Sequence, residues 1–111
     1  MKRILIISSF LTLVYSQCDV DTWQDYLPNL DGCELSEADL YGVDFSYTSF
    51  NDANLSGANL GNCDFSYSSM LNADLSGAFT LNANFEGALM CGVDVDSLTG
   101  YSGSPETVLD C

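Results

Sequence analysis

The residues able to do chemistry are unevenly chosen: sixteen carboxylates, five cysteines and no histidine, with Lys2 and Arg3 the only cationic side chains in 111 residues. A serine or cysteine nucleophile needs an adjacent base, usually histidine, so nucleophile–histidine catalysis is excluded. Carboxylates alone leave two chemistries. A pair can hydrolyse glycosides, and several can offer oxygen ligands to a hard cation such as Ca²⁺. The net charge of −14 excludes nucleic-acid phosphates and anionic lipid surfaces as partners, since both are met by Lys and Arg. The cysteines are Cys18, Cys33, Cys63, Cys91 and Cys111. They lack the CxxC or Cys/His spacing of redox and zinc sites, and pairing leaves one over.

The elements that position these groups follow from an internal echo. "DFSYTSFNDANLSGA" at 44–58 returns as "DFSYSSMLNADLSGA" at 64–78, agreeing at ten of fifteen positions. Every fifth residue gives Leu35, Leu40, Phe45, Phe50, Leu55, Leu60, Phe65, Met70, Leu75, Thr80, Phe85, Met90 and Val95, all apolar except Thr80. The residues two before them, from Cys33 and Ala38 to Ala88 and Val93, are small or β-branched. Side chains two apart share a face of extended chain, so each pentad points one small and one large residue inward. An α-helix would smear this period around its circumference, five residues advancing about 500°, and a flat strand would lose its alternation. A chain that runs briefly, turns and runs again stacks as a solenoid. The twenty-residue echo makes four pentads one coil, with Phe45, Phe65 and Phe85 in one column at about 4.8 Å spacing.

Strings such as "ADL", "ANL", "GANL" and "ANF" at five-residue steps over about 31–97 resemble the pentapeptide-repeat family, whose pattern is A(D/N)LXX. The resemblance implies an all-β, right-handed quadrilateral β-helix of about three coils, with the central Leu or Phe and the preceding small residue inward. Thr48 and Ser68 depart from the pattern at the small position, Thr80 at the centre, and Phe79 and Leu89 just before it. The phase resumes with Ala83 and Phe85, so Thr80 is expected inside with its hydroxyl bonded to backbone. Some cytosolic members of the family resemble duplex DNA and inhibit topoisomerases. An acidic DNA-mimic inhibitor is therefore a further reading, opposed by the export signal described next.

Residues 1–16 read as a signal peptide: Lys2 and Arg3, an apolar stretch Ile4 to Val14, and Val14 and Ser16 at the −3 and −1 positions. The apolar stretch is shorter than the 18 or so residues of a membrane span. The mature chain is expected outside the cell, or in the periplasm of a bacterium, with no side-chain cation and no membrane insertion. Residues 17–32 form an N-terminal cap with Trp23, Tyr26, Leu27 and Leu30 as a lid, 33–97 the repeats and 98–111 a C-terminal cap. Ser104 and Pro105 would start a helix of at most two turns there. Disulfides Cys18–Cys33 and Cys91–Cys111 would pin the caps, leaving Cys63 free in the core.

The candidate sites lie outside that core, since a solidly packed rod has no large cleft and enzyme activity is not expected. Asp44 should lie over Asp64 and Asp74 over Asp94, the metal candidates, with calcium the cofactor they suit. Tyr47 and Tyr67 should stack on the surface. Leu71, Phe79, Leu81 and Leu89 should point outward as an interface for another protein or a second copy. Asn54-Leu55-Ser56 is a glycosylation sequon on the rod. The leading expectation is a rigid acidic scaffold or protein-interaction module. An extracellular divalent-cation binder is the alternative.

Overall fold

Extended segments of three residues separated by tight turns cannot build long strands, and the chain shows few. The computed structural model describes residues 4–7, 12–15, 18–100 and 108–109. Strand β1, Ile4–Ile7, pairs antiparallel with β2, Thr12–Tyr15, within the segment read as a signal. Beyond it, parallel bridges join residues twenty apart in four columns: 34–54–74, 39–59–79–99, 44–64–84 and 29–49–69–89. Each twenty-residue lap of chain lies on the next.

The hydrogen bonding repeats with the pentad. Leu35 N–H donates to Asn54 O at 2.7 Å, Asn54 N–H to Cys33 O at 2.9 Å and Glu37 N–H to Ser56 O at 2.8 Å, while Ala38 N–H closes a turn on Leu35 O at 3.2 Å. That turn has a fixed conformational demand. From Leu30 to Met90 the residue two after every core residue has a positive φ, between 57° and 79°, as the third residue of such turns requires. Thirteen positions share it: six glycines, Asn62, Asn72, Asn82, Asp52, Glu37, Tyr47 and Tyr67.

Inside, the large residues form columns. Phe45 stacks on Phe65 with centroids 5.4 Å apart, Phe65 on Phe85 at 5.2 Å, and Phe50 meets Phe45 edge-on at 5.0 Å. Leu35, Leu40, Leu55, Leu60, Met70, Leu75 and Met90 are buried with them. Thr80 is buried and its hydroxyl donates to Thr99 O at 3.3 Å. Cys63 is a free, buried thiol that donates to Leu40 O at 2.9 Å, and burial pushes its pKa up.

Both ends differ from the sequence reading. After a first bridge of Asp19 to Glu34, bridging at the twenty-residue offset already begins at Asn29 with Ser49, so Leu30 belongs to the Phe50 column rather than to a lid, and Leu27 is exposed. The 3₁₀ turn Trp23–Tyr26 instead sets Trp23 edge-on against Phe45, centroids 5.2 Å apart, at the head of the aromatic column. The Cys18–Cys33 disulfide, Cα atoms 4.8 Å apart, holds that turn to the first lap. At the other end a 3₁₀ turn, Val95–Ser97, interrupts the pentads, which leaves Val95 only partly buried. The next inward pair then swaps sizes: Leu98 is buried, while Gly100 follows Thr80 in register. Strand β3, Ala88–Leu89, pairs parallel with β4, Val108–Leu109, at the same twenty-residue offset. The proposed C-terminal helix is thus a strand at Val108 and Leu109. Ser104 and Pro105 lie outside the described residues, as does Cys111. Cys91 is disulfide-bonded.

Candidate functional site

With the small and large inward positions filled, chemistry is left to the turns. Asp and Asn just before each core residue close the turn after it: the Asp44 carboxylate accepts the Ser46 N–H at 2.9 Å, Asp64 that of Ser66 at 2.9 Å, and Asp74 that of Ser76 at 2.9 Å and its hydroxyl at 2.6 Å. Hydrogen bonding from Ser46, its side chain first and its backbone next, holds Asp44 below the ordinary carboxylate range, and Ser76 does the same for Asp74. Ser36 and Asn54 likewise hold Glu34 down.

Between laps, acids are matched to amides. Asn54 donates its side-chain amide to Glu34 at 2.8 Å, Asn59 to Asp39 at 3.0 Å and Asn84 to Asp64 at 3.2 Å. Asn54 of the sequon thus has its amide engaged, with its oxygen accepting from Ser56. The four metal candidates are not brought together as one site. Asp44 bridges Asp64, whereas no bridge joins Asp74 to Asp94, which lies just before the Val95–Ser97 turn, and these two line a groove of about 220 Å³ with Asn72, Ser76 and Ser97. No cluster of three metal-ligating side chains occurs among the described residues.

The two tyrosines stand out from the other turns. Tyr47 and Tyr67 stack with centroids 5.3 Å apart and planes 16° from parallel, 73% and 53% exposed. The third position of that column is Gly87, where an added Cβ would lie 2.6 Å from the Tyr67 ring, so Tyr67 lies directly across the glycine backbone.

The outward apolar residues divide into two groups. Phe79 lies in the 39–59–79–99 column and Leu89 in the 29–49–69–89 column, with another bridge column on either side between them. Phe79 and Leu81 are exposed, and Leu71 is only partly so. The single interface expected from Leu71, Phe79, Leu81 and Leu89 is therefore two separate patches. Sequence reading missed Tyr41, which joins Phe79 across Gly61: an added Cβ there would lie 3.0 Å from Tyr41 and 3.1 Å from Phe79. The Tyr41 hydroxyl also accepts from the Asn62 side-chain amide. The twenty-residue offset from Tyr41 to Gly61 was the available signal, since it puts a ring over a missing side chain.

Residues 28–69 match the model of a family described as pentapeptide repeats (9 copies). Among solved structures, a pentapeptide repeat protein of the Arabidopsis thaliana thylakoid lumen is 32% identical over 60% of this chain and 50% of its own, with a TM-score of 0.36. The protein HetL, involved in heterocyst differentiation regulation in the cyanobacterium Nostoc, is 29% identical over 72% of this chain and 39% of its own, TM-score 0.41. Rfr23 of the cyanobacterium Cyanothece is 32% identical over 74% and 64%, TM-score 0.36. The chain thus spans between 39% and 64% of the length of these three proteins. A search of curated proteins found no match. No helix among the described residues is long and apolar enough to cross a membrane.

Proposed function

We propose that this chain, whose residues 28–69 are pentapeptide repeats, is a rigid acidic interaction module of a right-handed, four-sided β-helix that acts by presenting a surface. The reading assigns it no catalysis. The observation that carries it is the Tyr47–Tyr67 pair: two large rings kept exposed, and stacked, at corners where the backbone favours glycine. Stacked aromatics in the open are a costly way to end a turn and a common way to meet a partner. Export to an oxidising compartment is supported by the Cys18–Cys33 disulfide and by the n-region and apolar stretch of residues 1–16.

The test is co-purification from the extracellular fluid of the host, with and without calcium, using wild type and a Tyr47→Gly/Tyr67→Gly variant. A protein retained by wild type in both conditions and lost from the variant supports the module. A partner retained equally by both proteins moves the surface elsewhere.

A cation-binding reading has one observation in its favour, the groove that Asp74 and Asp94 share. Calcium titration decides it. Saturable micromolar binding abolished by Asp94→Asn supports a site, whereas weak binding removed by salt is the diffuse attraction expected of any chain with this charge.

A further inference from the structure

Tyr47 and Tyr67 occupy two of the thirteen turn corners with positive φ, where six glycines and three asparagines are the more accommodating choices. An L side chain without a short polar head strains the backbone there, so rings at these corners need a compensating role. Their stacking on each other is part of that role, but it leaves Tyr47 73% exposed. Among the described residues neither hydroxyl has a hydrogen-bond partner, and the neighbouring Asp44 and Asp64 are engaged by Ser46 and Ser66. The strip ends on Gly87, which keeps that end low and flat.

The surroundings of this strip have one sign. Asp44 and Asp64 lie three residues before the two tyrosines, Glu86 precedes Gly87, and Asp52 takes the next corner after Tyr47. All sixteen carboxylates of the chain face two cations, both within the first three residues. A second copy would bring the same charge against this strip. An anionic partner would be repelled, and a neutral sugar would stack on the rings while leaving the acids unanswered. A guanidinium answers both features, because it stacks flat on an aromatic ring and donates in-plane to carboxylates. Lysine's compact ammonium does the second far better than the first.

Resting on the interaction-module reading, we propose that the Tyr47–Tyr67–Gly87 strip with its flanking Asp44, Asp64 and Glu86 is a docking site for an arginine-rich segment of a partner protein. A guanidinium lies on the outer face of Tyr47, since Tyr47 and the Gly87 backbone cover the two faces of Tyr67, and its neighbours pair with the acids beside the strip. The amide matching seen between laps, Asn84 to Asp64 for example, neutralises nothing, so the acids keep their charge for the partner.

The experiment is calorimetric titration of the whole protein with a nona-arginine peptide and a nona-lysine peptide at physiological ionic strength. The Tyr47→Gly/Tyr67→Gly variant is measured alongside, glycine being the residue these corners accept. Wild type is expected to bind the arginine peptide about tenfold more tightly than the lysine peptide, and the variant to lose that preference while keeping its lysine affinity. Equal affinities for the two peptides in wild type, or a preference that survives in the variant, overturns the proposal and leaves only diffuse charge. So does a neutral oligosaccharide that competes at the strip, or a dimer in sedimentation that the variant dissolves. Any of those results leaves the broader module reading standing if a tyrosine-dependent partner still co-purifies, so the two fail separately.

Discussion

At the scale of single residues the turns carry the polar chemistry, and two side chains test it. Asp44 has its pKa lowered in the fold by Ser46, so its ionised form favours the folded state. That contribution is present above the unfolded value near 3.8 and is lost as pH falls through the lower folded value. Asp44→Asn, which copies the protonated acid while keeping an acceptor for Ser46, should be less stable than wild type at pH 7. The gap should narrow as pH falls below 3.8 in paired urea melts and close once Asp44 is protonated in the fold; a gap that persists in acid would remove the charge from the account. Ser68 is the opposite case. It sits in the core at the small position with no hydrogen-bond partner for its hydroxyl among the described residues, and an unpaired buried hydroxyl costs about 1 kcal/mol or more. Ser68→Ala should therefore raise stability by about 1 kcal/mol, read as a shift in the urea midpoint at constant slope. The sequence marked Ser68 as a departure from the repeat. That its hydroxyl goes unanswered while that of Thr80 finds Thr99 O depends on which carbonyl the next lap brings near.

The repeating element is a column rather than a strand, and its energetics follow from position in the stack. Phe65 has a ring above and below, Phe45 and Phe85, and meets Phe50 edge-on at 5.6 Å. Phe65→Ala should cost about 3–5 kcal/mol, and more than Phe85→Ala, since Phe65 is held between two rings. Equal losses in chemical denaturation would mean the stack does not close around the middle ring. The corner element has its own test: Gly87→Ala places a methyl at positive φ and against the Tyr67 ring. It should cost about 1–2 kcal/mol and expose Tyr67 further, which near-ultraviolet circular dichroism would register. These columns were legible in the sequence because a period of five admits neither helix nor flat strand. Less was legible where a residue type did not announce its backbone. Glu37, Tyr47 and Tyr67 accept the positive φ that glycine and asparagine advertise, so the uniformity of the corners was hidden. Leu98 and Val108 continue the twenty-residue register without the small–large order of a pentad, and for that reason the sequence suggested a helical cap where β4 pairs with β3. Tyr41 and Phe79 both close on Gly61 from the laps on either side of it, an arrangement of residues 38 apart that only the twenty-residue offset signals.

On the scale of the whole molecule, charge sets the terms. The acids outnumber the bases sixteen to two, and no side-chain cation follows Arg3 to answer them. Amide donors from Asn54, Asn59 and Asn84 satisfy acid oxygens without reducing the charge. The folded stack concentrates that charge, so moderate NaCl should raise the melting temperature by screening it, and a melting point that falls with salt would contradict this. Stability of such a stack is close to a sum of laps and lap–lap contacts, so the two ends need not let go together. The chain has one tryptophan, and the fold has placed it at the head of the phenylalanine column. Trp23 is therefore a natural optical marker for one end only: its emission follows the loosening of the first lap against Phe45, while the far end can fray unseen. Comparing its signal with backbone circular dichroism during denaturation separates unzipping from one end from all-or-none collapse, with no label added.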